Sequence, residues 1–378
     1  MSAGLAPDLA VTAKVDTAIL LAAVRERARA DIPPLVQAID QQGLYPRAIM
    51  GGLGEAGLFS PHLAAHTPLA RPDLGAAIQA MAEVAAECMS TAFCTWCQDA
   101  SGWYLENTEN AALRQRLQGG IATGQVMAGT GMSNPMKTLA GIEGFKLKAQ
   151  RVGGGYIVSG VLPWVSNLGD GHWFGTVMQD VADERHLVFA MVQCGQPGVE
   201  IRQNARFIAL EGTGTYSVLF RRAFIADDQL LADPVNGAVR KILPGVILLQ
   251  TGMGLGVTEA CIGLMQDSNR THAASNHYLP RGPTYYQDAK AALLAELATL
   301  ADTPTETSPD FMRRVLMARL GVSEMALDAA QSALLHAGSR GYLAGSPVHR
   351  RQRESYFVAI ITPSIRHLRK ELARLAGG

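Results

Sequence analysis

A stretch of about 110 residues with no helical pattern, set between two alanine- and leucine-rich stretches, constrains this chain most. From about Gly124 to Asp233 short β-like runs follow one another, split by Gly, Asp and Asn. They are Val126 to Ala128, Phe145 to Gln150, Tyr156 to Ser159, Trp173 to Gln179, Leu187 to Val192, Ile208 to Leu210, Tyr216 to Phe220 and Ala223 to Ile225. Strands so spaced, with no helix between them, predict a compact barrel or sandwich rather than a βαβ sheet.

The flanks read as helical. Apolar residues recur at three- and four-residue spacing from Val15 to Ile39, with a break at Pro33-Pro34. A short helix is expected over Arg47 to Phe59, stopped at Gly57, and a buried one over Leu74 to Ser101. Asn110 to Leu117 follows, ended by Gly119-Gly120. Beyond Val239 come Leu243 to Ser268, Pro283 to Leu300, Pro309 to Ala337 and Glu354 to Leu375, which suit a four-helix bundle with outer faces free for a second subunit. With 378 residues the chain exceeds one ordinary core. An α+β chain in three parts is expected: helical domain 1–122, β domain 123–235 and helical bundle 236–378.

Several function classes recede. Lys plus Arg and Asp plus Glu both number 33, so no basic excess exists to neutralise nucleic-acid phosphates. No long uncharged apolar window predicts a membrane span, and the start, with Asp8, Lys14 and Asp16, does not read as a signal peptide. Five scattered cysteines suit a reducing cytoplasm, and Cys94 and Cys97 read as buried helix residues rather than a metal half-site. Gly52 to Gly57 matches GxGxxG, but no strand precedes it and no helix follows, which argues against a dinucleotide fingerprint. Asp99, alone in an apolar stretch, reads as a solvated face residue rather than a pocket residue.

The centre of the chain is Gly129 to Ser166: a loop with Ser133-Asn134-Pro135, a strand, a turn at Arg151 to Gly155, a second strand and Trp164-Val165-Ser166. Near the C-terminus stand His336-Ala337-Gly338-Ser339-Arg340-Gly341-Tyr342, Pro347-Val348 and Arg353-Glu354. Together these segments resemble the acyl-CoA dehydrogenase family, and the resemblance covers nearly the whole chain. It implies FAD. Trp164 would wall one face of the isoalloxazine, and the Ser166 hydroxyl would meet its N5. Ser133 would hold the ring, Thr138 would stand in for the serine that meets the pyrophosphate, Gly338 and Ser364 would add to the cofactor site, and Arg270, without the Phe-Gly that usually follows it, would reach the FAD of a neighbouring subunit. Gln287 fits a further family position only if Asn276 to Tyr286 is an insertion, one that would reshape the pocket.

The same resemblance implies a glutamate that removes the α-proton of an acyl thioester while hydride passes to the flavin. It is absent here. One family position for it reads Thr362, followed by Pro363-Ser364; the other, beside a family arginine, reads Val246-Ile247. A threonine is no base near neutral pH without its own activator. Glu259, further along, faces elsewhere by helical phase and reads as structural or interfacial. The expectation is therefore an FAD-dependent, acyl-CoA dehydrogenase-like oxidoreductase that desaturates a thioester without the usual base. Its partners would be acyl-CoA, an electron-transfer flavoprotein and further subunits in a dimer or tetramer. Two alternatives stay open within the fold: a flavin-dependent monooxygenase, which needs no α-proton base and to which His172 or His336 could lend a polar group, or a base-less subunit of a hetero-oligomer. A non-catalytic scaffold is the third.

Overall fold

A computed structural model describes residues 7–67, 70–203 and 205–377, with side chains from residue 17 onward. The first six residues of the expected N-terminal domain lie outside the described residues, as do the Asp8, Lys14 and Asp16 side chains. The chain begins with α1 (Pro7–Asp31), α2 (Val36–Gln42) and α3 (Arg47–Glu55), then α4 (Leu74–Glu87), α5 (Met89–Glu106) and α6 (Ala111–Ala122). Pro33-Pro34 separates α1 from α2 in a 3-10 turn. Gly57, at φ 89°, follows α3. The GxGxxG run lies on α3, where a Cβ at Gly54 would fall 2.4 Å from the Thr123 carbonyl oxygen. Those glycines serve close packing rather than a phosphate turn.

The middle of the chain is one eight-stranded sheet. Its strands are β1 (Ala128–Thr130), β2 (Leu147–Val152), β3 (Gly155–Val165), β4 (Trp173–Asp180), β5 (Leu187–Gln193), β6 (Val199–Arg202), β7 (Tyr216–Ala226) and β8 (Leu230–Ala232). The order is β6-β7-β3-β2-β4-β5-β8, with β1 pairing β4 in parallel. β4 and β7 stand three strands apart, about 14 Å in a flat sheet. Yet Phe174 of β4 and Phe220 of β7 meet at 6.2 Å. The sheet therefore curls around its own core of Leu147, Val158, Phe174, Val188 and Phe220. Thr130 bridges Ser166 across the curl, and Gly129 permits it, since a Cβ there would sit 2.1 Å from the Ser166 carbonyl oxygen.

The C-terminal half holds α8 (Ala238–Leu249), α9 (Thr251–Asn276), α10 (Pro283–Ala301), α11 (Pro309–Ala337), α12 (Pro347–Ile360) and α13 (Ile365–Ala376). By length and composition Ala238–Asn276 could cross a membrane, but 89% of its apolar window is buried inside the protein.

Several expectations need correction. The Ser133–Leu139 segment is not a loop but a helix, α7. Ile208 to Leu210 is not a strand; it leads into a 3-10 turn, Glu211–Thr213, because Leu210 takes φ 63°. Gly119-Gly120 does not end α6, which runs on to Ala122. The last helix is two, parted at Pro363, which cannot continue a helical ladder. Asp99 is not a solvated residue but fully buried.

Buried charge joins these parts. Glu354 on α12 is fully buried and accepts from the Met89 amide (3.2 Å), Arg350 (2.9 Å) and Arg351 (2.7 Å). Burial pushes its pKa up, but the two guanidiniums outweigh that and hold it below the ordinary carboxylate value. Arg351 also donates to the Ala85 carbonyl at the end of α4. The Arg353-Glu354 signature thus stitches α12 to the α4–α5 junction, and Arg353 continues to Asp40 on α2 and the Ile208 carbonyl.

Candidate active site

A cavity of about 500 Å³ opens where the sheet, α5, α7 and the α12–α13 junction meet. It gathers Ser133, Trp164, Ser166, Thr362 and Ser364, which the sequence spreads over more than half the chain. Trp164 is 56% exposed and packs T-shaped with Phe207 at 6.4 Å, which leaves part of its indole surface open to a flat ligand.

The hydroxyls in the wall form a chain with a fixed direction. Thr213 Oγ1 donates to the Leu210 carbonyl at 2.7 Å. A hydroxyl has one proton to give. In the 2.8 Å contact between Thr213 and Thr215 the donor is therefore Thr215. In the 2.7 Å contact between Thr215 and Ser166 it is then Ser166. Ser166 turns its lone pairs, not its proton, toward the cavity. Leu210 anchors this order from the left-handed region, at a cost of about 1–2 kcal/mol. Sequence reading missed Thr213 and Thr215. Their signal was the Thr-Gly-Thr spacing, read only as a break between strands.

Across the cavity the Thr362 hydroxyl lies 2.9 Å from that of Ser133. The Thr362 carbonyl accepts from Gln250 Nε2 (2.8 Å), and Gln250 Oε1 accepts from Arg319 Nε (2.9 Å). Arg319 is fully buried, and burial lowers its pKa to about 10. Among the described residues the only carboxylate lining the cavity is Glu143, which accepts from Asn134 Nδ2 at 2.8 Å. Val246 is buried, and its carbonyl accepts from the Trp96 indole at 3.2 Å. Neither base position holds an acid.

The outer end of the cavity is different. Lys137 and Arg366 line it, and among the described residues neither has a hydrogen-bond or ion-pair partner. Ser364 caps α13 through the His367 amide (3.4 Å). His367 is buried and its Nδ1 has no partner. Burial lowers its pKa, against the opposing pull of Glu371 and with help from Lys370 and Lys137. A helix N-terminus bearing Arg366 and an orphan ring nitrogen, with Lys137 of α7 lining the same cavity, suits an anion.

The remaining expected residues do not reach this cavity. The Thr138 hydroxyl donates back to the Asn134 carbonyl at 2.9 Å within α7, the geometric result of that segment being helical. Arg270, expected at a neighbouring subunit's cofactor rather than in this cavity, is 79% exposed and pairs with Asp267 at 3.3 Å, and Gly338, at φ 57°, follows α11. Gln287 is exposed on α10. The segment Asn276 to Tyr286 does not reshape the pocket; there Arg281 and Tyr286 bind Asp328 on α11. His172 Nδ1 lies 3.0 Å from the Asn167 carbonyl and His336 Nδ1 lies 2.8 Å from that of Ser332, both outside the lining. Asp99 lies 3.8 Å from His62, also outside it; burial pushes Asp99 well above the carboxylate range and lowers His62 to about 3. Glu259 pairs with Lys290. Cys94 and Cys97 are buried and free.

The residues present fit a flavin in two respects: an open indole surface beside hydroxyl lone pairs, and an unpaired cationic end for a diphosphate. The α7 segment fits less well, since its Thr138 hydroxyl is already used.

Known proteins share the fold that carries this cavity. The domain described as "Acyl-CoA dehydrogenase, N-terminal domain" matches residues 16–125. The benzylmalonyl-CoA dehydrogenase of Aromatoleum aromaticum is 25% identical, over 87% of this chain and 89% of its own. The butyryl-CoA dehydrogenase of Megasphaera elsdenii superposes with a TM-score of 0.84 over all of both chains at 14% identity. The dibenzothiophene monooxygenase of a Paenibacillus species does so at 0.78, over 94% of this chain and 96% of that one, at 15% identity.

Proposed function

We propose that this chain, whose N-terminal part is an acyl-CoA dehydrogenase domain and whose fold is that of the acyl-CoA dehydrogenases, is an FAD-dependent oxidoreductase acting on an acyl thioester without a glutamate base of its own. One observation carries the reading. A single cavity assembles Trp164, Ser166, Ser133 and Thr362 beside an unpaired cationic end. When bound, FAD accepts the hydride equivalent taken from substrate. Trp164 would wall the ring, the Ser166 lone pairs would face a ring N–H, and Lys137, Arg366 and the α13 N-terminus would take the diphosphate.

Among the described residues Glu143 is the only carboxylate lining the cavity, and Asn134 Nδ2 donates to it at 2.8 Å. Thr362, at the family's base position, shares a hydrogen bond with Ser133, and among the described residues no carboxylate or imidazole is hydrogen-bonded to its hydroxyl to draw its proton away. A base from a sister subunit, or a reaction that needs none, completes the scheme. The second option draws on the monooxygenase neighbour of the same fold.

The visible spectrum of the purified protein tests this reading. Flavin absorbance that bleaches under anaerobic acyl-CoA supports it. Oxygen uptake driven by a reductant, with no bleaching by any thioester, moves the assignment to a monooxygenase, and a colourless chain that takes up no flavin sinks both. The Thr362→Glu variant sharpens the test: gain of anaerobic bleaching is expected if the pocket lacks only the base.

A further inference from the structure

The cavity is blind on the side of α5. Phe93 and Trp96 line it there, and each is over nine-tenths buried. Their rings stack at 5.8 Å with 9° between planes, and Phe357 of α12 closes edge-on against Phe93 at 4.6 Å. The indole cannot swing aside freely, because its Nε1 donates to the Val246 carbonyl of α8 at 3.2 Å. Two turns further along the same face, Trp103 donates to the Ile242 carbonyl at 3.1 Å. Between these two anchors a Cβ at Gly245 would lie 2.5 Å from the Trp103 indole nitrogen, so α8 is pressed directly onto α5. The cleft between the two helices is filled by indole, and nothing linear can thread it.

We propose that Trp96, backed by Phe93 and Phe357, sets the substrate class: the site admits a compact, flat or branched acyl group and rejects long unbranched chains. This rests on the thioester reading above. A flat ring against Trp164 occupies much of a cavity of about 500 Å³. What remains beside the Phe93–Trp96 plane is shallow and aromatic, suited to a phenyl ring or a short branch.

The test is a binding series on the flavin-loaded protein, read by calorimetry and by flavin difference spectra rather than by turnover. The ligands are straight-chain thioesters of coenzyme A from acetyl to dodecanoyl, with isobutyryl and benzoyl. Each methylene that finds apolar cover tightens binding by about fourfold. In the wild type that gain should stop within the first few carbons, and benzoyl should bind more tightly than octanoyl. In Trp96→Ala the gain should continue to longer chains. Wild-type affinity that climbs steadily through octanoyl and beyond overturns the proposal while leaving the thioester reading intact. Failure of every thioester to bind a yellow protein overturns both. If Trp96→Ala does not fold, the wild-type series alone decides.

Discussion

The two ends of the cavity are built on opposite principles. At the ring end three wall hydroxyls have their protons committed: Ser166 to Thr215, Thr215 to Thr213 and Thr213 to the Leu210 carbonyl. At the outer end Lys137, Arg366 and His367 Nδ1 have no partner among the described residues. That chain of three hydroxyls offers a ligand acceptor lone pairs beside flat surface. The outer end is left in deficit, and an anion would supply what it lacks. A closed polar network positions; an open one binds. Under the proposed reading, the difference would separate residues that orient a flavin from residues that hold it.

The largest effect should come from reversing the open end. Lys137→Glu with Arg366→Glu removes two charge-assisted contacts and adds repulsion, so FAD affinity should fall about 100-fold or more, measured by flavin released on dilution. Retention at the wild-type level would break the comparison. At the closed end, Ser166→Ala removes one hydrogen bond of about 1 kcal/mol, so retention or reduction rate should change about fivefold. Unchanged spectra and rates would sink the ring-contact assignment. Thr215→Val leaves Ser166 in place but frees its proton, and a smaller shift is expected in the flavin absorption band than for Ser166→Ala. An equal or larger one would mean that Thr215 itself meets the ring.

The smallest effect concerns pH. His367 sits below its ordinary pKa, and a bound diphosphate would favour its charged form. The complex then binds more protons than the free protein, so flavin affinity should rise, by about two- to threefold, as pH falls from about 7.5 to about 5.5. The His367→Asn variant should lose that slope; a slope that persists would assign it to another group.

Much of the fold was legible because it rests on local pattern. The helical flanks, the run of short strands, and the breaks at Pro33-Pro34 and Gly57 follow from periodicity and backbone chemistry. Errors arose where distant partners decide. The apolar neighbours of Asp99 marked a buried helix, but its charge argued for the solvated face; the helix is buried all round there, with His62 3.8 Å away. Ser133 to Leu139 has no strong helical pattern, yet the Asn134 side chain braces it to Glu143, Gly144 and Lys146, and the segment coils.

The site divides the same way. By itself the sequence determined which residue types were at hand: an indole at the end of β3 and a serine just after it, and a threonine and a valine where the resemblance implies an acid. Tertiary structure decided what they do. It aimed the Ser166 proton at Thr215, spent the Thr138 hydroxyl on its own helix, left Lys137 and Arg366 unpaired beside the α13 N-terminus, and set Trp96 against α8. A hydroxyl's direction and a cation's lack of partner depend on neighbours dozens to hundreds of residues away, and no local window contains them.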